Sequence, residues 1–329
     1  MGIKNMLKFL SEFQDIIKDK NIKDYYGKKI AIDISILIYQ FVIAVRSSGS
    51  DLTNDKGDIT SHLLGLFNKT LSFLEKGIIP VYVFDGTPPL LKQKTLNIRK
   101  QIRNKALEKL VDAKTDLDKI KYLKRSVKIT RKQIDQCREL LDLMGIPYIN
   151  APEEADSELA YLCKENLVYA VLTEDMDILT FGSPRIIRNL TSNKKEPIEI
   201  ELNDILTKLN ITYDNFVELC ILFGCDYCVN IHDVKPINIF NIYMKHKNIT
   251  DTINELKELS LINLDTFEYL EAKTYFVNSI HSNITKDDMQ LKKPNIDKLI
   301  DFLVIKCGFI KSKIVYKVDK INNYYNLFK

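Results

Sequence analysis

Three short apolar runs in this sequence end in aspartate. Residues 30–33 read IAID, residues 79–85 read IPVYVFD and residues 168–177 read VYAVLTEDMD. A near-continuous apolar run of this length marks a strand buried on both faces. Such strands belong to parallel sheets, and parallel neighbours need a long crossover, usually a helix. The chain is thereby restricted to an α/β fold, a mostly parallel central sheet with helices on both faces. In open sheets of that kind ligands bind just beyond the carboxyl ends of the strands. One aspartate there is an ordinary turn residue; three in the same relation to their strands point to a cationic ligand.

Segments of helical period fill the intervals. Apolar spacing predicts a first helix over residues 3–19 (Ile3, Met6, Leu7, Leu10, Phe13, Ile16, Ile17) and another over 60–75 that closes at Gly77. Pro88 and Pro89 stop the chain before a helix that begins near Leu90, and a helix over 132–143 ends at Gly145. A short strand over 146–150 follows, and Pro152 with the acids after it suits a first helical turn. Beyond the third acidic run come a strand over 186–190 and helices over 203–209 and 213–223, the last closed by Gly224. From about residue 235 the pattern is helical and rich in lysine. Apolar residues make up 45% of the 329, with 11 Gly and 9 Pro, enough for one compact core with helical additions.

Charge is unevenly placed. The chain carries a net +4, yet residues 92–132 hold fifteen Lys and Arg against four acids, which leaves +11 there and −7 elsewhere. A solvated helical face can be rich in lysine, but an excess of this size is the footprint of a polyanion. The six cysteines lie in helical and strand-like context, with no signal peptide or long apolar span, which fits a reducing intracellular compartment and no membrane partner. Cys220, Cys225, Cys228 and His232 have the spacing of a zinc site or a redox CxxC. Zinc is disfavoured, because Cys220 falls on an apolar helix and Asp226 stands between the last two thiols. His62, His246 and His281 stand alone and read as surface or capping residues.

Brought to one sheet edge, Asp33, Asp85, Asp175 or Asp177 and the acids around Glu154 would put five to seven carboxylates in one cleft. Like charges that close raise one another's pKa and oppose folding, so the cluster demands cations. An all-carboxylate donor set suits Mg²⁺, with Mn²⁺ able to substitute. Two such ions about 4 Å apart serve phosphodiester hydrolysis. The basic segment just after Asp85 would hold a polyanionic substrate over them.

Seven segments carry a resemblance: MGIK, AIDISILIYQF, TSHLLGLFNKT, PVYVFDGTPP, LMGIPYINAPEEAD, TEDMDILTFGSP and LCILFGCDYC. Their order and spacing over roughly residues 1–230 resemble the flap endonucleases, the XPG-type structure-specific 5′ nucleases. The resemblance implies a PIN-like nuclease core with an N-terminal nuclease region (1–107), a basic helical gateway and cap (88–135), an internal nuclease region (140–230) and a helical duplex-binding region with a C-terminal tail (231–329). It implies metal ligands at Asp33, Asp85, Glu154, Asp156, Asp175, Asp177 and Asp226, leaving Glu174 outside the set. Lys92 and Arg99 would contact the phosphate, Tyr39 would stack on a base beside the scissile bond, and Arg46 would touch DNA. Lys121, Lys124, Arg125 and Lys128 match the cap's basic residues. Helical periodicity alone would pair Glu154 with Glu158; the resemblance aligns Glu154 with Asp156, at the helix entrance.

Three departures bear on function. Relatives usually carry Glu where this chain has Asp156, one methylene shorter in reach. The glycine-rich turn with which relatives hold a duplex phosphate and K⁺ reads NIHDVKPIN over residues 230–238, without glycine, so weaker duplex binding and little K⁺ dependence are expected. Ile321, Tyr324 and Tyr325 have the spacing of a sliding-clamp peptide, but Val318 stands where Gln is expected, and the apolar face of a last helix is the other reading. The resulting expectation is a monomeric, two-Mg²⁺ enzyme that cuts branched DNA with a 5′ flap, in the nucleus or another replication compartment. The alternatives are a 5′-3′ exonuclease, a junction or bubble nuclease, or an inactive DNA-binding scaffold; the complete carboxylate set argues against the last.

Overall fold

The computed structural model describes residues 2–47, 57, 59–192, 194–228, 231, 234–259, 261–262, 267 and 269–328, with backbone alone for 44–47. Its strands are β1 (Ile17–Asp19), β2 (Lys29–Asp33), β3 (Ile79–Phe84), β4 (Tyr148–Asn150), β5 (Ala170–Leu172), β6 (Arg185–Arg188) and β7 (Ile198–Glu201). They form one sheet in the order β1-β7-β6-β5-β2-β3-β4. The five strands from β4 to β6 run parallel, and at one edge β7 runs antiparallel to β6 and β1 antiparallel to β7. The chain lays β2, β3 and β4 side by side and then crosses back to set β5 on the other flank of β2. Strand order therefore reverses at β2, which makes its carboxyl end the expected ligand crevice.

Side chains alternate across this sheet, and both faces are covered. Ala31, Val81, Val83 and Val171 enter one core; Ile30, Ile32, Tyr82, Phe84 and Leu172 enter the other. That is why the central strands read as unbroken apolar runs. The helices are α1 (Met6–Leu10), α2 (Ile34–Ser47), α3 (Ser61–Glu75), α4 (Gln93–Val111), α5 (Asp116–Arg125), α6 (Arg131–Met144), α7 (Ala155–Lys164), α8 (Asp177–Thr180), α9 (Leu202–Leu209), α10 (Tyr213–Phe223), α11 (Pro236–His246), α12 (Ile249–Glu258), α13 (Leu270–Val277), α14 (Ile296–Asp301) and α15 (Lys311–Phe328). The first core takes α1 and α7 to α13, and the second takes α2, α3, α6, α14 and α15.

Two helices stand apart. On α4 only Ala106 is buried, and on α5 nothing is, so neither is held by a core. Local chemistry shapes α5 instead. The Thr115 hydroxyl accepts from the Asp118 N–H, Asp116 and Asp118 occupy the first turn, and Lys124 and Arg125 occupy the last, which complements the helix dipole at both ends. On α6, Thr130 and Gln133 make a reciprocal cap, and Gly145, at φ 70°, ends the helix as its position predicts.

Several expectations are corrected. The helix expected over 3–19 shrinks to α1. Asp15 takes φ 70°, and Ile17 pairs with Ile200 as part of β1, because tertiary strand pairing overrides a helix-like apolar spacing. The third acidic run is a strand only as far as Leu172, and the helix expected from Pro152 begins at Ala155. His62 is not a surface residue but lies fully buried on α3, while His246 pairs with Glu255 at 2.6 Å and His281 stacks on Tyr161. At the C-terminus Ile314, Val318 and Ile321 of α15 are buried in the second core, and Tyr324 packs against it. Among the described residues no helix is long and apolar enough to cross a membrane.

Candidate active site

The carboxyl ends of β2 and β3 are tied to helix starts through their aspartates. Asp33, the last residue of β2, accepts from the backbone N–H groups of Ser35 at 2.7 Å and Ile36 at 3.4 Å, in the first turn of α2. Asp85 directly follows β3. It accepts from the Ser35 hydroxyl at 2.7 Å and from the N–H of Ala155, which opens α7, at 3.0 Å. Gly86 makes that approach possible, since a Cβ there would lie 2.2 Å from the Ala151 carbonyl oxygen.

The other acids arrive from α7, the turn after β5 and the end of α10. Glu154 immediately precedes α7 and is buried, accepting from the Tyr227 hydroxyl at 2.6 Å and from the Lys92 ammonium. Asp156 lies in the first turn of α7, at the same entrance. Asp175 accepts from the N–H of Asp177 at 3.1 Å, and Asp177 opens α8 at 2% exposure. Asp226, just beyond Gly224, meets the Arg99 guanidinium at 2.5 Å and stands 3.9 Å from Lys92 Nζ.

These acids perturb one another. Burial first, and then repulsion from Asp85, pushes Asp33 up to about 8. Burial followed by Asp175 and Asp33 pushes Asp156 well above the carboxylate range, and burial followed by Asp175 does the same to Asp177. Asp175 is raised as well, chiefly by burial. Burial works against the Lys92 ammonium, but Glu154 and Asp156 outweigh it and hold its pKa above the usual lysine value. One oxygen of Asp177, Oδ1, is buried without a hydrogen-bond partner. An orphaned carboxylate oxygen among mutually repelling oxygen donors fits hard divalent cations. Among the described residues no three carboxylate, imidazole or thiol side chains are posed around one common point. Lys92 and Arg99 reach between the acids instead, meeting Glu154 and Asp226.

The remaining expected residues lie around this cluster. Tyr39 on α2 is 37% exposed, and its hydroxyl donates to the Lys124 carbonyl at 3.2 Å, linking α2 to α5. Lys121, Lys124, Arg125 and Lys128 are exposed on and just after α5. The Arg46 side chain falls outside the described residues, as do residues 229, 230, 232 and 233 of the glycine-free turn. Glu174 points away to Arg188, at 2.9 Å. Glu158 accepts from the Ser282 N–H at 2.9 Å, so the periodic partner of Glu154 serves another loop. Three neighbours of the site were not anticipated. Ser35 and Tyr227 hydrogen-bond to its acids, and Gly2, at φ 78°, lies where a Cβ would come 1.5 Å from Asp175 Oδ1. Ser35, two residues after Asp33 at a helix start, was detectable from sequence; Tyr227 was not, because only the fold turns its hydroxyl to Glu154.

Acidic strand ends at a topological switch point, with two cations among them and a basic helical pair rooted beside them, define a metal-dependent nuclease. Residues 1–106 match the family model described as the XPG N-terminal domain, and residues 145–226 the XPG I-region. Flap endonuclease 1 of Glycine max is 41% identical over 332 residues, covering 98% of this chain and 86% of that protein. The structure of flap endonuclease-1 from Methanococcus jannaschii matches over 100% of both chains, at 31% identity and a TM-score of 0.75. The catalytic core of Rad2 in complex with DNA substrate matches over 95% of this chain and 99% of its own, at 25% identity and a TM-score of 0.73. The chain belongs to the flap endonuclease family of XPG-type nucleases.

Proposed function

We propose that this protein binds branched DNA bearing a single-stranded 5′ end and hydrolyses a phosphodiester near the junction of single and double strands, in replication and repair. The observation that carries the reading is the pairing of two cations with acids of the cleft, Lys92 with Glu154 and Arg99 with Asp226. An acidic cleft alone would repel DNA; cationic side chains rooted in it give a scissile phosphate a place to rest. Asp33, Asp85, Glu154, Asp156, Asp175, Asp177 and Asp226 would hold two Mg²⁺, or Mn²⁺. When bound, these ions supply Lewis-acid activation of the attacking water and of the leaving oxygen.

The chain's own residues do the rest. Lys92 and Arg99 exchange Glu154 and Asp226 for the non-bridging phosphate oxygens and stabilise the charge that builds there. The exposed Lys121, Lys124, Arg125 and Lys128, with Arg46, attract the DNA backbone. The Tyr39 ring stacks on a base beside the cut, at the foot of the cap. In this reading residues 1–107 and 140–230 are the nuclease regions, 88–135 the gateway and cap, and 231–329 the duplex-binding region and tail. The protein works as a monomer where DNA is replicated, and K⁺ contributes little to duplex binding. A sliding clamp would have to engage α15 while Val318 and Ile321 stay in the core.

The test is Asp175→Ala, assayed with Mg²⁺ on flap, nicked, gapped and bubble DNA. Binding measured by fluorescence polarisation should stay nearly intact while cleavage disappears. Cleavage that survives the substitution would overturn the two-metal assignment.

A further inference from the structure

Two thiols flank the acid at the end of α10. Cys225 Sγ lies 3.6 Å from Cys228 Sγ, and the residues between them are Asp226 and Tyr227. Cys225 is 3% exposed and Cys228 is half-buried, so the outer sulfur is the one a small oxidant meets first. The other four cysteines are all buried. Among the described residues no third metal ligand joins the pair.

We propose that Cys225 and Cys228 form a redox modification site that switches the cleft off; this rests on the nuclease reading above. The oxidant is a peroxide. The Cys228 sulfur attacks one oxygen of hydrogen peroxide, the O–O bond breaks, and the thiol proton leaves with the other oxygen as water. Cys228 is then a sulfenic acid. The Cys225 sulfur displaces its hydroxyl, which takes the Cys225 proton and leaves as a second water while the S–S bond forms. The two thiols give up two electrons, and one peroxide becomes two waters. A thiol reductant reverses the bond by exchange.

The bond matters because of what sits between the sulfurs. A disulfide spans about 2.05 Å, so the sulfurs must close by about 1.5 Å. That movement falls on a short turn whose other contacts are specific. Tyr227 donates to Glu154 at 2.6 Å, with its ring against Phe181, Tyr275 and Phe276. Asp226 takes Arg99 at 2.5 Å through its side chain and the Thr95 hydroxyl at 2.9 Å through its carbonyl. Cinching the turn pulls on all three links and shifts Asp226 and Glu154 together.

The experiment treats the full-length protein with hydrogen peroxide, maps disulfides by mass spectrometry after blocking free thiols, and follows cleavage of 5′-flap DNA with Mg²⁺. The expected result is a Cys225–Cys228 disulfide with cleavage down about 100-fold, the scale on which a misplacement of about 1 Å acts. Dithiothreitol should restore it, and Cys228→Ser should cut normally and resist peroxide. Peroxide that inactivates Cys228→Ser as fully as the parent, or a disulfide that leaves cleavage unchanged, overturns the switch. Active reduced protein that never forms this bond overturns the switch alone. Reduced protein that cuts no branched DNA overturns the nuclease reading as well.

Discussion

Replacing Asp177 by Asn should make the metal-free protein more stable and destroy its cleavage. Asp177 is 2% exposed, its Oδ1 has no partner, and Asp175 is the neighbour that repels it most. Keeping both carboxylates ionised about 5 Å apart, at an effective dielectric of about 20, costs about 3 kcal/mol, and the raised pKa of Asp177 means that the metal-free fold meets this cost partly by taking up a proton. An amide keeps the shape and removes that repulsion; an incompletely bonded amide returns about 1 kcal/mol of the gain. The net stabilisation is at most about 2 kcal/mol, or about 4–8 °C in Tm at roughly 2–4 °C per kcal/mol. Mg²⁺ should reverse the ranking. At 100 times its dissociation constant a native-state ligand adds about 2.7 kcal/mol, which the parent gains and the variant largely forgoes. Thermal unfolding of both proteins in EDTA and in Mg²⁺, with cleavage of flap DNA in parallel, reads every part of this. A variant that melts below the parent in EDTA would refute the reasoning, because it would show that favourable partners hold the Asp177 carboxylate.

Three further outcomes follow from other parts of the molecule. Asp156→Glu should keep cleavage to within about tenfold, since the longer arm still reaches the cleft from the entrance of α7; complete loss would remove Asp156 from the site. His62 is fully buried and its pKa is lowered by burial to about 4. Above about pH 6.5 it is neutral folded or unfolded, but between about 6.5 and 4 only the unfolded chain takes the proton. Stability should therefore fall by about 1.4 kcal/mol per pH unit across that window, about 3 kcal/mol in all, and urea melts of His62→Asn should lack that slope. Ile321→Ala should cost about 2–4 kcal/mol, measured by denaturant unfolding, because α15 seats Ile321 in the second core.

How much could be read in advance differed by element. The strands at the switch point were legible because a strand covered on both faces has no polar positions to blur its run, and the acids that end those runs are equally visible. Residues 17–19 were not, since Ile16 and Ile17 fit the helical period set by Ile3, Met6 and Leu10, and only pairing with β7 decides between helix and strand. β7 itself, Ile198–Glu201, carries a period-two signal, but one only four residues long beside the stronger apolar runs. At the site, spacing on a regular helix selected Glu158, whereas the structure turns Glu158 to Ser282 and keeps Glu154 ahead of the first turn. Periodicity describes a helix interior, and this part of the cleft is built from a helix start.

The crossing from β4 back to β5 also sets a timetable. In a chain made from its N-terminus, β2, β3 and their two acids emerge first, and Lys92 and Arg99 leave the ribosome before Glu154, Asp175 or Asp226 exists. The counter-charges are thus waiting when the acids they meet arrive. By the time β5 slots in beside β2 and completes the acidic edge, the nascent chain already contains the cations that let it close.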